Sequence, residues 1–477
     1  MEEWLPSNER EHYKEVIGAI VGFITIIVVF IKTIVRFIMT MFRFIFSCIK
    51  KAFIQSNTSL DTSEWPEGFS SPSVCKEIIF SLTETQLSMD ICPIMEFVQK
   101  HSSQFLHVKI LCIYSTEKRL IKRWCRHFIV FLQILTSNSK LISVTFLFLS
   151  NCFQQIETPT YLDICRMIIH FLESQHRLKR VVFNICSFRF DEGVEILRKL
   201  TESSRESLTH LVLREFIRYE HMDKLIWPSH DSSVISPSTA AQKLPFILID
   251  FPSLTTLETD YSLILENIVA CQSTAIQTIK NCGTLELSNI SLHYDYRMTP
   301  IEFFRGLTST DWQFLKILCP YLQVELVIYT NLPSRRELEF LIVPNMPITR
   351  LMYIFDNFVM EMETDVLFGR LLACKTNDHL VSLYFSSLAT TIPDLSYAFP
   401  PFLKACRKLK CLVLSMAHPA NGIDLLMQSW LENRPESLEK VRIIITKIEE
   451  EDEYANLMIL ARDLKWRGLN VKVNLYF

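Results

Sequence analysis

The chain has 477 residues, 49 of them Lys or Arg and 52 Asp or Glu, and its formal net charge of -3 offers no basic footprint for nucleic acid. Glycine occurs only 9 times, against an average of roughly 7%, and neither GxxxxGK(S/T) nor GxGxxG occurs, so the usual phosphate-cradling loops have no material. The 14 cysteines include no CxxC, the 12 histidines no HExxH, and no GxSxG frames a serine; no catalytic residue, metal site or cofactor is expected.

Residues 1–15 form an acidic tail, with Glu2, Glu3, Glu9, Glu11 and Glu15 against Arg10 and Lys14. From Val16 to Ile54 the chain is almost wholly apolar. Val16 to Ile31 carries no charge, and continuing to Val35 gives a helix of about 30 Å, enough to cross a bilayer core. Past that span, Lys32, Arg36, Arg43 and Lys50 fall within about 40° of one another at roughly 100° per residue, flanked by Phe37, Ile38, Met41, Phe44, Ile45 and Ile49. The pattern predicts one transmembrane helix running into a basic amphipathic helix on the lipid surface. These cations have no acid after them until Asp61, so the positive-inside rule puts the carboxy-terminal side in the cytoplasm. The alternatives are a signal peptide, which fits poorly behind an acidic leader with no small-x-small cleavage site, and a buried helix of a soluble domain, disfavoured by the length of the run and the absence of polar residues on any face. Gly18 and Gly22 make a GxxxG, a spacing that membrane helices also reach by chance.

Residues 55–73 read as a linker, with Pro66, Gly68 and Pro72 ending helical continuation. Beyond it a short phrase recurs, an apolar residue at positions one, four and six. It is clearest at LKRVVFNIC, where Leu178, Val181, Phe183 and Cys186 match the LxxLxLxx(N/C) core of a leucine-rich repeat. Further matches begin at Phe105, Leu141, Leu208, Ile348, Leu380, Leu409 and Leu438, and weaker ones at Leu254 and Ile276; the chain ends on Leu469, Val471, Val473 and Leu475. Alternate apolar positions would point inward, and no single unit could bury them alone. Between the phrases, Tyr161 to Ser174, Asp191 to Thr201, Asp424 to Glu432 and Glu453 to Lys465 carry helical spacing. Mostly some 26 to 37 residues separate the starts, more than the roughly 20 to 29 of a regular repeat. The fold expected over residues 74–477 is therefore an α/β, irregular leucine-rich-repeat solenoid of parallel strands with helical returns. A conventional α/β domain with repeat-like strands is the alternative.

Residues 227–242 (WPSHDSSVISPSTAAQ) have no apolar period and predict an exposed loop. Cys165, Cys186 and Cys411 are expected at inward positions as free thiols, and Glu449 to Glu453 as a solvated acidic loop. Asp191 and Glu192 suit the start of a helix better than a catalytic carboxylate pair.

LKRVVFNICSFRFDEGVEILRKL, ESLTHLVLREF and FPSLTTLETDYS, followed by VPNMPITRL, ACRKLKCLVL and KIEEEDEYANL, together resemble the repeat region of the leucine-rich-repeat F-box only proteins, over about Trp65 to Phe477. The resemblance implies substrate recognition, with an amino-terminal F-box docking on the Skp1 adaptor of a cullin-based ubiquitin ligase. Upstream of Trp65 the F-box pattern is not found, and the apolar helix stands in its place.

Two functions follow as expectations. The first is a non-catalytic, membrane-anchored scaffold that recognises substrates for a ubiquitin ligase; the second is a membrane tether or receptor-like interaction protein without a ligase role. In both, the strand face binds a protein partner through polar residues that project between inward ones: Lys179, Asn184, His210, Arg214, Tyr384 and Lys410.

Overall fold

A computed structural model describes residues 77–476 apart from 83–86, 88–91, 113–114, 139, 219–249, 263–264, 266–284, 299–300, 332–333, 356–363, 388–394 and 449–453. The expected membrane helix with Lys32, Arg36, Arg43 and Lys50, the expected linker, the expected loop at 227–242, the Ile276 phrase and the acidic run at Glu449 lie outside the described residues. Among the described residues no helix is long and apolar enough to cross a membrane.

The 13 strands form a single sheet in chain order. They are β1 (Glu77–Phe80), β2 (His107–Leu111), β3 (Ser143–Leu147), β4 (Arg180–Asn184), β5 (His210–Arg214), β6 (Thr256–Asp260) and β7 (Asn289–Asp295). They continue as β8 (Gln323–Thr330), β9 (Ile348–Phe355), β10 (Ser382–Ser387), β11 (Cys411–Ala417), β12 (Lys440–Thr446) and β13 (Asn470–Tyr476). Every pairing is parallel and joins consecutive strands. Parallel neighbours need a crossover, and from β1 to β5 and from β7 to β13 described helices supply it: α1 (Pro93–His101), α2 (Lys118–Thr136), α3 (Ser150–Phe153), α4 (Thr158–Glu173), α5 (Phe190–Ser204) and α6 (Ser309–Leu318). The later ones are α7 (Arg335–Leu341), α8 (Thr364–Ala373), α9 (Leu395–Ala405), α10 (Ile423–Glu432) and α11 (Ala455–Trp466). This is the expected parallel α/β array.

Each helix turns an apolar stripe toward the sheet. On α2 the buried residues are Ile121, Trp124, Cys125, Phe128, Phe131, Leu132 and Leu135, three and four apart. A capping box starts α6: the Thr308 N–H donates to Asp311 Oδ2 at 2.7 Å, and the Asp311 N–H to Thr308 Oγ1 at 3.3 Å.

Register turns the repeated phrase into rows across the sheet. One inward row reads Phe80, Ile110, Phe146, Phe183, Leu213, Thr259, Leu292 and Leu326. Phe146 and Phe183 stack with ring centroids 5.0 Å apart, and Phe183 meets Phe216 at 5.1 Å. Full burial of such a side chain contributes about 2–3 kcal/mol. Thr259 is the polar member of the row; it is wholly buried and its hydroxyl has no hydrogen-bond partner.

Three strands were not anticipated. β1 is only four residues long. β7 carries the phrase at Leu287, Ile290 and Leu292, all buried. In β8 the inward residues Val324, Leu326 and Ile328 strictly alternate, and a register shift against β9 at Val324/Glu325 disturbs the phrase. One inward expectation is corrected: Cys411 is aligned with Ser382 and Lys440 in an outward row and is only half-buried, because it holds position three of its phrase. Cys165 and Cys186 are buried free thiols.

Candidate functional site on the strand face

The phrase also fixes an outward position, the residue after the sixth, where each short strand ends. There stand Asn184 of β4, Arg214 of β5 and Asp260 of β6, with His293 of β7 in register with Asp260. The row continues through Val327, Met352, Tyr384 and Val413. A concavity of about 540 Å³ opens over this region, lined among others by Arg214, Glu215, Asp260, Asp295, Arg297, Glu325, Val327, Tyr329, Met352 and Ile354.

The strand exits shape its floor. Phe148, Ile185 and Glu215 each follow a strand directly and have φ of 59°, 57° and 44°, a left-handed turn that L side chains rarely adopt. After β3 and β4 the freed N–H donates to the next strand's last carbonyl: Phe148 to Asn184 O at 3.0 Å, Ile185 to Arg214 O at 2.8 Å. At Glu215 the acceptor changes to a side chain, and the N–H donates to Asp260 Oδ2 at 2.6 Å.

Charges divide unevenly over this wall. Arg297 grips Asp295 through two hydrogen bonds, Nε to Oδ1 at 3.0 Å and Nη2 to Oδ2 at 2.7 Å, and lies over the Tyr329 ring at 4.3 Å. Glu258 receives His293 Nε2 at 3.0 Å and Arg214 Nε at 3.8 Å. Burial would raise the Glu258 carboxyl, but His293, Arg214 and Arg180 outweigh it and hold it below its ordinary range. Arg350 approaches Glu325 at 4.0 Å, and Arg218 keeps interactions of its own. Among the described residues, Glu215 and Asp260 form no ion pair. Desolvation pushes Asp260 up to about 7, beyond what the Glu215 N–H and Arg214 take back, and it raises Glu215 as well. Asp260 as a residue is only half-buried, and it lines the concavity beside Glu215.

Of the residues expected from sequence, Asn184 and Arg214 are brought side by side by the β4–β5 register, and Arg214 lines the concavity. The Asn184 Oδ1 is buried and accepts no hydrogen bond. His210 begins the same strand as Arg214, with Nδ1 2.9 Å from Thr209 Oγ1; burial and then Arg180 lower its pKa. Tyr384 sits half-buried in the outward row on β10. Lys179 and Lys410 are equivalent exposed residues just before β4 and β11, each with a carbonyl that accepts two N–H groups from the following unit. Seven strand steps part them, about 34 Å along the stack at about 4.8 Å each, and Lys410 pairs with Glu439 at 3.0 Å. The six residues are thus a distributed set, not one contact patch. Sequence reasoning passed over Glu215, Asp260, Asp295, Arg297 and Tyr329. Position seven of the weak phrase at Leu254 is the signal that finds Asp260.

Among the described residues no group of three or more His, Cys, Asp or Glu side chains is placed to hold a metal ion. The chain matches no protein-family model and no curated protein sequence.

Proposed function

We propose that the chain is a non-catalytic protein-binding scaffold of the leucine-rich-repeat kind, held at a membrane by residues 16–54, whose strand face takes a polypeptide partner across β4–β9. The observation that carries this reading is the row of outward residues from five successive strands, β5 to β9, opening into one concavity of about 540 Å³. A surface assembled from many short strands suits an extended partner, which touches several units at once. The tether or receptor-like role needs nothing beyond that surface and the amino-terminal helix, on which Lys32, Arg36, Arg43 and Lys50 would meet anionic lipid. Selection of substrates for a ubiquitin ligase would add a docking element for the Skp1 adaptor and cullin.

Site-specific photo-crosslinking in cells tests the reading. A photoreactive residue at Met352, on the strand face, is expected to capture a polypeptide partner. One at Met458, 52% exposed on α11, is expected not to. Equal capture from both positions, or none from Met352, overturns the proposal. Co-purification of Skp1 and cullin that is lost on deleting the first 80 residues would replace the tether with the ligase role.

A further inference from the structure

We infer that the concavity over β5–β9 is a pocket for a basic side chain of the partner polypeptide, an arginine held between Glu215 and Asp260, with a large apolar partner side chain on Val327, Met352 and Ile354 about four residues away. The inference rests on the protein-binding reading above and gives its partner a chemistry.

Charge accounting within the wall is the first support. Arg297 is committed to Asp295 and His293 to Glu258, while Arg214 lies 3.8 Å from Glu258 with no hydrogen bond on its Nε, and Arg350 lies 4.0 Å from Glu325. Glu215 and Asp260 form no ion pair among the described residues; Arg214, and for Glu215 also Arg297, act on them from a distance without offsetting the desolvation of the two carboxyls. Buried carboxylates are costly unless a cation joins them. A guanidinium supplies that cation with donors in a planar fork, and it can lie against an aromatic ring as Arg297 already does on Tyr329.

Geometry is the second support. Asp260 Oδ2 is occupied by the Glu215 N–H at 2.6 Å, which fixes the carboxylate in place before any ligand arrives. On the other side of the same concavity the lining turns apolar, with Val327 on β8 and Met352 and Ile354 on β9. Three strand steps separate β6 from β9, about 14 Å at about 4.8 Å per step. An extended peptide crossing the strands advances about 3.3 Å per residue, so the basic and apolar anchors fall about four residues apart. The desolvation that raises both carboxyls is consistent with a site completed by an incoming cation.

A random dodecapeptide display library selected on the purified full-length chain tests this. Selected peptides are expected to be enriched in Arg about four positions from a large apolar residue. By fluorescence anisotropy, the best of them should lose at least tenfold in affinity when its Arg is changed to Gln, and similarly against the Glu215→Gln/Asp260→Asn chain. The peptide substitution leaves the protein untouched, so a folding defect cannot mimic the effect. Peptides that Met352→Arg displaces, but that lack a basic residue, carry acidic ones, or bind the double variant unchanged, overturn the inference and leave the protein-binding reading standing. Absence of any peptide sensitive to Met352→Arg overturns both.

Discussion

Replacing Asp260 by Asn should make the chain more stable above neutral pH, by an amount that shrinks as the pH falls toward 4. The carboxyl has an ordinary value of 3.8 and is pushed up to about 7 in the fold. Burial is the main cause, the negative charges of Glu215 and Glu258 add to it, and the Glu215 N–H and Arg214 oppose it. His293 in the adjoining strand and Asp295 beyond it are the other titratable groups of the wall. The native state therefore holds this proton more tightly than the unfolded chain. The resulting stability is fully present below about pH 4 and is lost as pH rises through 7. The full difference corresponds to about 4 kcal/mol at about 1.4 kcal/mol per pH unit, and water at the open side of the concavity reduces it to about 2 kcal/mol. Asparagine keeps an oxygen for the Glu215 N–H and carries no charge. Urea unfolding followed by tryptophan fluorescence should show the variant gaining about 2 kcal/mol on the wild type at pH 8.5 and less than about half of that at pH 5. An equal effect at both values, or a loss at pH 8.5, would refute the view that an unpaired, desolvated carboxylate sits in this wall.

Substitutions at three further positions probe the core beneath the site. Thr259→Val keeps the shape and removes a buried hydroxyl without a partner, so the unfolding midpoint should rise by the equivalent of about 1–2 kcal/mol; a fall would mean that the hydroxyl is satisfied. Glu337 is buried and accepts from Thr330 Oγ1 at 2.7 Å, and burial raises its pKa above what Thr330 and Tyr294 give back. Stability from this group is lost as pH rises through its folded value, and Glu337→Gln should flatten that part of the Tm-versus-pH profile, whereas Glu337→Ala should cost about 1–3 kcal/mol at every pH by orphaning buried donors. Phe183→Ala should cost about 3–5 kcal/mol, with hydrogen-exchange protection lost around β3–β5 and kept in β11–β13; uniform loss would contradict a stack with nearest-neighbour coupling.

The apolar phrase was legible because its inward positions depend on local spacing alone. Leu178, Val181, Phe183 and Cys186 are all fully buried, and strands stand where the phrases at Phe105, Leu141, Leu208, Ile348, Leu380, Leu409 and Leu438 put them. The helices run within a few residues of expectation, Thr158–Glu173 and Phe190–Ser204 for example. β8 escaped because strict alternation and a register shift hide the phrase, and Cys411 was misplaced because two outward positions adjoin each other within it. The site was less legible for a different reason. Glu215 and Asp260 are 45 residues apart in the chain, and whether a carboxylate finds a cation depends on which side chains neighbouring strands offer at that height. Arg214 is legible from its projection, but its approach to Glu258 at 3.8 Å is a property of the assembled sheet.

The exclusive pairing of each strand with its sequence neighbours has an evolutionary corollary. In most folds an inserted segment must be accommodated by parts of the chain that were never beside it; here a whole unit slipped between β9 and β10 would need to satisfy only two faces. The array can lengthen, shorten or exchange units while its remaining rows stay in register. The carboxylate wall on β5–β7 can thus be inherited intact by descendants whose far ends have diverged.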